Sequence, residues 1–186
     1  MFFFLFNKNI NFIALTSGTL SDAVFVADKS KQAIFVSSQS TSDRTFVSLP
    51  FQNITSPHGI AFNPLDGRLY WTDSSRGVVA RSSVNGQDQE AIHWNVVRPL
   101  GIALDLVGGN VYWIGSGGTT IEVSKLNGGY WKELHSNLSP TAREITLDTK
   151  RGYVCPLSIL DYSGYQNSCL KIINHTKSKD LTTFQK

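Results

Sequence analysis

The sequence predicts an all-β fold, a β-propeller of four-stranded blades, and three observations carry this prediction. The segments GIAF at 59–62 and LYWTD at 69–73 recur as GIAL at 101–104 and VYWIG at 111–115. Both recurrences are 42 residues apart, and a fixed period of about 40–45 residues with several short strands is a signature of a propeller blade. Glycine interrupts every long window that would otherwise have helical apolar spacing.

A first, divergent blade is predicted over residues 24–62. Its segment VFVAD at 24–28 aligns with LYWTD at an offset of 45 residues, and short apolar strands follow at 33–36 and 46–49. Turns rich in Ser, Thr and Asp separate these strands. The aromatic residue and the aspartate of the motif are therefore both present in this blade.

The second and third blades have the clearest pattern. Their strands are predicted at 59–62, 69–72, 78–84 and 90–94, and again at 101–104, 111–114, 120–126 and 131–135. An Asn-Gly pair marks the same hairpin in both blades, because both residues tolerate positive φ. The two blades therefore share one four-stranded meander.

A fourth blade begins at 145–148, where ITLD follows IALD by 43 residues. Tyr153-Val154-Cys155 is interpreted as the counterpart of Val-Tyr-Trp, with Cys155 at the tryptophan position, and the pattern ends after Pro156. The sequence thus predicts an incomplete propeller of about three to four blades.

The composition is that of a globular protein. The 186 residues are 41% hydrophobic and 17% charged, with a net charge of +3 from dispersed Lys and Arg, and without the basic stripe of a nucleic-acid surface. We therefore expect no nucleic-acid partner. We divide the chain into residues 1–20, a signal peptide or a degenerate strand, blades at 21–160, and an irregular polar tail at 161–186.

Two features bear on the cellular compartment. Cys155 and Cys169 allow either one disulfide bridge or two free thiols. Asn53 and Asn174 each begin an Asn-x-Thr sequon, which accepts a glycan in the secretory pathway. No segment holds the roughly 18 apolar residues of a spanning helix. We expect an extracellular or cell-surface location, with membrane association only through parts of a longer chain.

The segment Tyr70-Trp71-Thr72-Asp73, preceded by PHGIA at 57–61, resembles the low-density lipoprotein receptor class B repeat, also called the YWTD repeat. The resemblance covers residues 24–155. It implies a six-bladed propeller of the kind found in endocytic lipoprotein receptors, Wnt co-receptors and nidogen. There the propeller binds protein ligands or neighbouring epidermal-growth-factor-like modules, without catalysis or a cofactor.

The sequence departs from this repeat in two respects. Thr-Asp becomes Ile114-Gly115 in the third blade, so an aspartate that accepts hydrogen bonds in the turn after its strand is expected only at Asp73 and Asp28. Three blades and part of a fourth are also too few to close a six-bladed ring. We therefore expect a fragment of a receptor-like protein, or a chain that needs partner blades.

Candidate functional residues divide by whether they recur. Residues at the same strand position in each blade are best explained by packing between blades; they are Gly59, Ile60, Tyr70, Trp71, Thr72, Asp73, Gly101, Ile102, Tyr112 and Trp113. Aromatic and arginine residues outside the repeat are candidates for a protein-binding face, since these types anchor interfaces; they are Arg76, Trp94, Arg98, Tyr130 and Trp131.

An enzyme is the alternative from another class, because six-bladed propellers include calcium-dependent lactonases and strictosidine-synthase-like proteins; a cytosolic NHL-type scaffold is a further one. A calcium site needs several oxygen ligands at the central channel, and the candidates are Asn63, Asp105, Glu144 and Asp148. The histidines lack metal-ligand spacing, and no Gly-x-Ser-x-Gly elbow is present. We therefore expect no catalytic residue, metal or cofactor.

Overall fold

The computed structural model describes residues 10–15, 23–38, 45–138, 141–158 and 169–172. These residues form four antiparallel sheets, and none of them lies in a helix that could cross a membrane. Each sheet is one blade, with its strands hydrogen-bonded in chain order. The prediction of an all-β propeller is confirmed, with four strands in three of the described blades and three in the last.

The first strand of each blade lies beside the first strand of the next, on the inner side of the propeller. Blade 1 contains β1 (Ile10–Leu15), β2 (Ala23–Asp28), β3 (Ala33–Ser38) and β4 (Val47–Ser48). Blade 2 contains β5 (Pro57–Asn63), β6 (Arg68–Asp73), β7 (Val78–Ser83) and β8 (Glu90–His93). Blade 3 contains β9 (Ile102–Asp105), β10 (Asn110–Gly115), β11 (Thr120–Lys125) and β12 (Lys132–His135). Blade 4 contains β13 (Glu144–Asp148), β14 (Tyr153–Leu157) and β15 (Leu170–Lys171).

Two strands lie outside the segments for which the sequence predicts strands firmly. β1 pairs with β2, within the segment interpreted as either a signal peptide or a degenerate strand. β15 pairs with β14, within the segment interpreted as an irregular tail. With two residues, β15 is too short to show an alternating pattern. The other residues of 1–20 and 161–186 lie outside the described part of the chain.

Blade 4 follows blade 3 at an offset of 43 residues throughout. Thr146 pairs with Cys155 just as Ala103 pairs with Tyr112. Cys155 therefore occupies the tyrosine position and Pro156 the tryptophan position, which corrects the sequence alignment of Cys155 with a tryptophan. The physical reason is one additional residue between the two blades, which shifts β13 and β14 together.

Three apolar clusters fill the spaces between the four blades. In each, the tyrosine-position ring of one blade faces the blade that follows it. Phe25 shares a cluster with Trp71, and Tyr70 shares the next with Trp113. In the third, Tyr112 packs against blade 4. All five rings are completely buried, so the contacts between blades form the core of the described chain.

Each motif tryptophan, Trp71 and Trp113, also lies against a ring at or just after the end of the fourth strand of the preceding blade. The ring centroids are 4.9 Å apart for Phe51 and Trp71, and 5.0 Å apart for His93 and Trp113. Phe51 and His93 are 42 residues apart, as the tryptophans are. The repeat thus includes the residue that closes each blade interface, although its chemistry changes from phenyl to imidazole.

Glycine is required where one inner strand lies against the next. A Cβ at Gly59 would lie 2.7 Å from the carbonyl oxygen of Leu100 and 2.8 Å from the backbone nitrogen of Ile102. A Cβ at Gly101 would lie 2.6 Å from the Cα of Glu144. Any side chain at these two positions would therefore push neighbouring inner strands apart.

A disulfide bridge joins Cys155 on β14 to Cys169, the residue before β15, and neither cysteine is free. Of the two alternatives that the sequence leaves open, the structure therefore has the bridge. Closing a loop of this length stabilises a fold by roughly 3 kcal/mol through restriction of the unfolded chain. The bridge fastens the short β15 to blade 4.

Replacing Gly59 by alanine should lower the free energy of unfolding by about 2–4 kcal/mol, because the methyl group would meet the backbone of the next blade. Thermal and urea unfolding followed by tryptophan fluorescence would measure the change. Gly129→Ala is the matched control, since a Cβ there would approach only the side-chain oxygen of Asn127 at 3.3 Å. Equal effects of the two substitutions would contradict the assignment.

Candidate functional site

The loops lie at two opposite ends of the blades. One end, which we call the linker-loop face, carries the connections between blades and the turns between second and third strands; the described residues of this face are 29–32, 49–56, 74–77, 94–101, 116–119, 136–138 and 141–143. The other end, the hairpin face, carries the turns at 64–67, 84–89, 106–109, 126–131 and 149–152. Backbone hydrogen bonds join linkers to turns, from Val96 to Gly77 (2.9 Å) and from Ala142 to Gly118 (2.8 Å). The linker-loop face is therefore a continuous surface.

Asp73, the last residue of β6, organises the linker-loop face of blade 2 and is completely buried. Its carboxylate accepts hydrogen bonds from the backbone nitrogens of Thr55 (2.7 Å), Ser56 (3.1 Å), Ser75 (3.2 Å) and Arg76 (3.0 Å). The hydroxyl of Thr55 donates a further bond at 2.8 Å. One carboxylate thus ties the linker before the blade to the turn within it.

The neighbouring Thr72 ties blade 2 to blade 3. Its hydroxyl oxygen accepts a hydrogen bond from the backbone nitrogen of Gly59 at 2.9 Å and donates one to the carbonyl of Leu100. The threonine therefore spans the gap that the absent side chain of Gly59 leaves open.

The other blades show what replaces this arrangement. In blade 1, Asp28 accepts hydrogen bonds from the backbone nitrogens of Ser30 (2.9 Å) and Lys31 (3.0 Å). In blade 3, Gly115 stands at the aspartate position, and the carboxylate of Glu122 fills the space that a side chain at Gly115 would need. The loss of the aspartate is thus compensated from the adjacent strand.

On the linker-loop face the half-buried Arg76 pairs with the exposed Trp94. The guanidinium carbon of Arg76 lies 5.7 Å from the centroid of the Trp94 ring, within the range of a cation–π contact. The same guanidinium donates a hydrogen bond of 2.9 Å to the carbonyl of Asn53, while 59% of Trp94 remains exposed. Arg98, also exposed, lies beside the turn at Gly117 on this face.

The other two predicted ligand-face residues lie elsewhere. Tyr130 is 91% exposed and Trp131 is 52% exposed, and both follow the β11–β12 hairpin at the far end of the blade. The indole nitrogen of Trp131 donates a hydrogen bond of 2.9 Å to Glu122, and its ring lies 6.0 Å from that of His93. The structure therefore brings Arg76, Trp94 and Arg98 to one face and leaves the remaining pair at the other.

The four candidate calcium ligands do not converge. Asn63, Asp105 and Asp148 each accept a backbone hydrogen bond within a turn of the hairpin face, from Leu65, Gly108 and Arg151 respectively. Glu144 lies at the other end of its strand, near the linker-loop face. Among the described residues, no group of three or more His, Cys, Asp or Glu side chains is placed to hold a metal ion.

A contact between His58 and Glu144 could not be read from the sequence. Their nearest nitrogen and oxygen are 3.9 Å apart, and the side chains are 13% and 8% exposed. Burial, with smaller effects from the charges of Arg143 and Lys29, lowers the pKa of His58 to about 4. Burial raises the pKa of Glu144 well above its ordinary value, although Arg143 opposes the shift. Burial thus disfavours the charged form of both side chains, with His58 neutral at pH 7.

Of the two predicted glycan acceptors, Asn53 lies on the linker-loop face and is exposed. It has a positive φ of 55°, and the hydroxyl of Thr55 in its sequon is bonded to Asp73. Asn174 lies outside the described residues.

Several basic residues of the linker-loop face were also not singled out in the sequence. Lys29, Lys31 and Arg143 are exposed there, but they belong to no repeated motif. Counting chain reversals could have found them, because alternate connections of a meander emerge at the same end of the sheet. The same count of chain reversals would have placed Tyr130 and Trp94 at opposite ends of the blades.

Residues 67–106 match the family model of the low-density lipoprotein receptor repeat class B. The resemblance drawn from the YWTD segment is thereby confirmed for this part of the chain, which runs from the end of the first turn of blade 2 through β9. No curated protein matches the chain in sequence.

Solved structures show the same fold. A chain of the nidogen/laminin complex aligns with a TM-score of 0.72 at 25% identity, over 80% of this chain and 56% of that chain. A Bacteroides uniformis protein provisionally assigned as a 6-phosphogluconolactonase aligns with a TM-score of 0.59 at 14% identity, over 79% and 46%. Virginiamycin B lyase from Staphylococcus aureus aligns with a TM-score of 0.61 at 15% identity, over 89% and 56%. The chain thus spans about half the length of the structures it matches.

Asp73→Asn should lower the free energy of unfolding by about 3 kcal/mol, because an amide offers one acceptor atom to a buried set of donors that needs two. Chemical denaturation would measure the loss. Asp105→Asn serves as the control, since that carboxylate accepts only the bond from Gly108, and it should cost less than about 1 kcal/mol. A similar loss in both variants would argue against the special role of Asp73.

Stability should depend on pH in opposite directions through His58 and Glu144. The folded chain protonates His58 only near pH 4, below the ordinary value of 6.5, so its contribution to stability is lost as the pH falls through this window. Glu144 holds its proton more tightly when folded than at its ordinary value of 4.5, so stability falls as the pH rises through its folded pKa.

Glu144→Gln should therefore raise the melting temperature increasingly as the pH rises above 4.5, and this advantage should shrink as the pH falls toward that value. His58→Gln should instead reduce the loss of stability on acidification. Differential scanning calorimetry of the unmodified chain and the two variants, from below pH 4 to above pH 7, would measure both effects. Melting temperatures shifted by the same amount at every pH would contradict the role of His58 and Glu144 in this pH dependence.

Proposed function

Because residues 67–106 are a low-density lipoprotein receptor class B repeat on a propeller fold, we propose that this chain is a non-catalytic protein-binding module. Its partner docks on the linker-loop face, with the Arg76–Trp94 pair as the anchor. The observation that carries this proposal is an exposed aromatic ring and an arginine held together on loops that a buried carboxylate fixes.

Pre-organisation supports the choice of this face. Arg76 is fixed at both ends, since its backbone nitrogen is bonded to Asp73 and its guanidinium to Asn53. A side chain that is already ordered loses little conformational entropy on binding. Tryptophan and arginine are also the residues that most often dominate the energy of protein interfaces.

A protein partner and an extracellular location fit the same features. A matched chain belongs to a complex of two proteins, nidogen and laminin, which supports a protein rather than a small molecule as the partner. The disulfide bridge and the exposed sequon at Asn53 support a secreted or cell-surface protein. Neighbouring blades and epidermal-growth-factor-like modules of a longer protein would be further partners.

The enzyme alternative has less support. Matched structures with enzyme names are 14% or 15% identical to this chain, so they bear only on the fold. Three of the four candidate oxygen ligands accept hydrogen bonds within turns of the hairpin face, at the end of the blades opposite to Glu144. The geometry of this chain therefore favours recognition over catalysis.

Peptides selected by the immobilised chain from a random phage-displayed library should bind through Trp94. We expect Trp94→Ala to weaken the selected peptides by about tenfold or more, because it removes the exposed anchor. Fluorescence anisotropy with synthetic peptides would measure the affinities, and unchanged melting curves would establish that the variant is folded.

Tyr130→Ala is the matched control, as it removes an even more exposed aromatic ring from the hairpin face. It should change the affinities by less than about twofold. Peptides that depend on Tyr130 but not on Trp94, or a library that yields no binders, would refute the proposed function.

A further inference from the structure

The exposed charged side chains on the described part of the linker-loop face all have the same sign. Each blade, or the linker before it, contributes at least one of them. Four are exposed, namely Lys29, Lys31, Arg98 and Arg143, and Arg76 is half-buried. The acidic residues at this end of the strands, Asp28, Asp73 and Glu144, are 7%, 0% and 6% exposed. On this face the basic side chains are therefore exposed to solvent and the acidic side chains are buried.

The burial of each acidic residue has a structural cause. The carboxylates of Asp28 and Asp73 accept hydrogen bonds from backbone nitrogens of the turns that follow them. Glu144 is turned inward beside His58, with 8% of its side chain exposed to solvent. Their remaining interactions with the basic side chains of the face are a contact of 4.0 Å between Asp28 and the largely exposed Lys31, and a charge effect of Arg143 on the buried Glu144.

The hairpin face of the same chain is different. There, acidic and basic side chains are both exposed or half-exposed and pair with each other. Arg68 lies 3.5 Å and Arg81 2.7 Å from Glu90, and Arg151 lies 3.6 Å from Asp148. The single sign on the linker-loop face is thus a property of that face and not of the overall composition.

We propose that the partner segment bound by the linker-loop face is an acidic peptide segment with an apolar side chain. This inference rests on the proposed function and specifies the chemistry of its ligand. Carboxylates of the segment meet the basic side chains spread across the blades, and the apolar side chain meets the exposed ring of Trp94. Complementary charge would also steer the encounter and make it sensitive to salt.

A protein segment fits this face better than a sulfated polysaccharide. The basic residues occur one or two to a blade, and apolar side chains lie among them, with Trp94 59% and Val97 64% exposed. A sulfated polysaccharide offers these two side chains only the C–H faces of its sugar rings and no apolar side chain. A peptide supplies carboxylates and an apolar anchor together.

The phage-displayed library of random peptides tests the inference directly. Peptides enriched on the immobilised chain should be more acidic than the input library. Replacing their Asp and Glu by Asn and Gln should weaken binding by about tenfold at low ionic strength, and added salt should remove most of this difference.

Charge variants locate the effect. Lys29→Gln with Arg98→Gln should weaken the acidic peptides by about fivefold or more, because two of the facing charges are lost. Lys150→Gln, an exposed lysine of the hairpin face, is the matched control and should change binding by less than about twofold. Melting curves check that all variants are folded.

The outcomes separate this inference from the proposed function. Enriched peptides that need Trp94 but are neutral or basic would overturn the acidic partner and leave the protein-binding face intact. Tight binding of a heparin oligosaccharide that ignores Trp94→Ala and displaces the peptides would overturn it in favour of a polysaccharide. Peptides indifferent to Trp94 would overturn both.

Discussion

The close approach of neighbouring inner strands is the constraint on which the rest of the structure depends. At Gly59 the backbone of the next blade occupies the space of a side chain, and Thr72 bridges the same gap to Leu100. This spacing fixes how far apart the blades stand, and the rings of Tyr70 and Trp113 fill the space that opens between them. Packing between blades therefore determines the fold, because a single meander would leave one of its faces exposed.

The same constraint shapes the surface. Tight stacking of blades requires rigid connections, and Asp73 provides one by gathering the donors of a linker and a turn into a single buried site. A carboxylate used in this way adds no negative charge to the surface. The turn that it holds presents Arg76 instead, so the residue that stabilises this loop adds a basic side chain and no acidic one to the linker-loop face.

Sequence reasoning recovered what is local and periodic. The 42-residue repeat and the Asn-Gly hairpins gave the strands of blades 2 and 3 to within two residues. Sequence reasoning did not recover contacts between distant residues, or which exposed residues share a face of the fold. The contact between His58 and Glu144 joins residues two blades apart, and Tyr130 and Trp94 were grouped by residue type although they lie at opposite ends. The register of blade 4 was wrong because one additional residue shifted Cys155, and a short motif that has lost its tryptophan cannot reveal such a shift.

Departures from the repeat are compensated locally. Gly115 replaces the motif aspartate, and the carboxylate of Glu122 enters the space. With the register of blade 4 corrected, Glu144 falls at the position of Gly101, because it pairs with Leu157 as Gly101 meets Ile114. A glutamate fits at this position only if its side chain points away from where a following inner strand would lie. The side chain of Glu144 points back toward Gly101 and His58. The buried contact of His58 and Glu144 is therefore the structural consequence of losing a glycine at this position, and it keeps the carboxyl of Glu144 out of the solvent-exposed part of the linker-loop face.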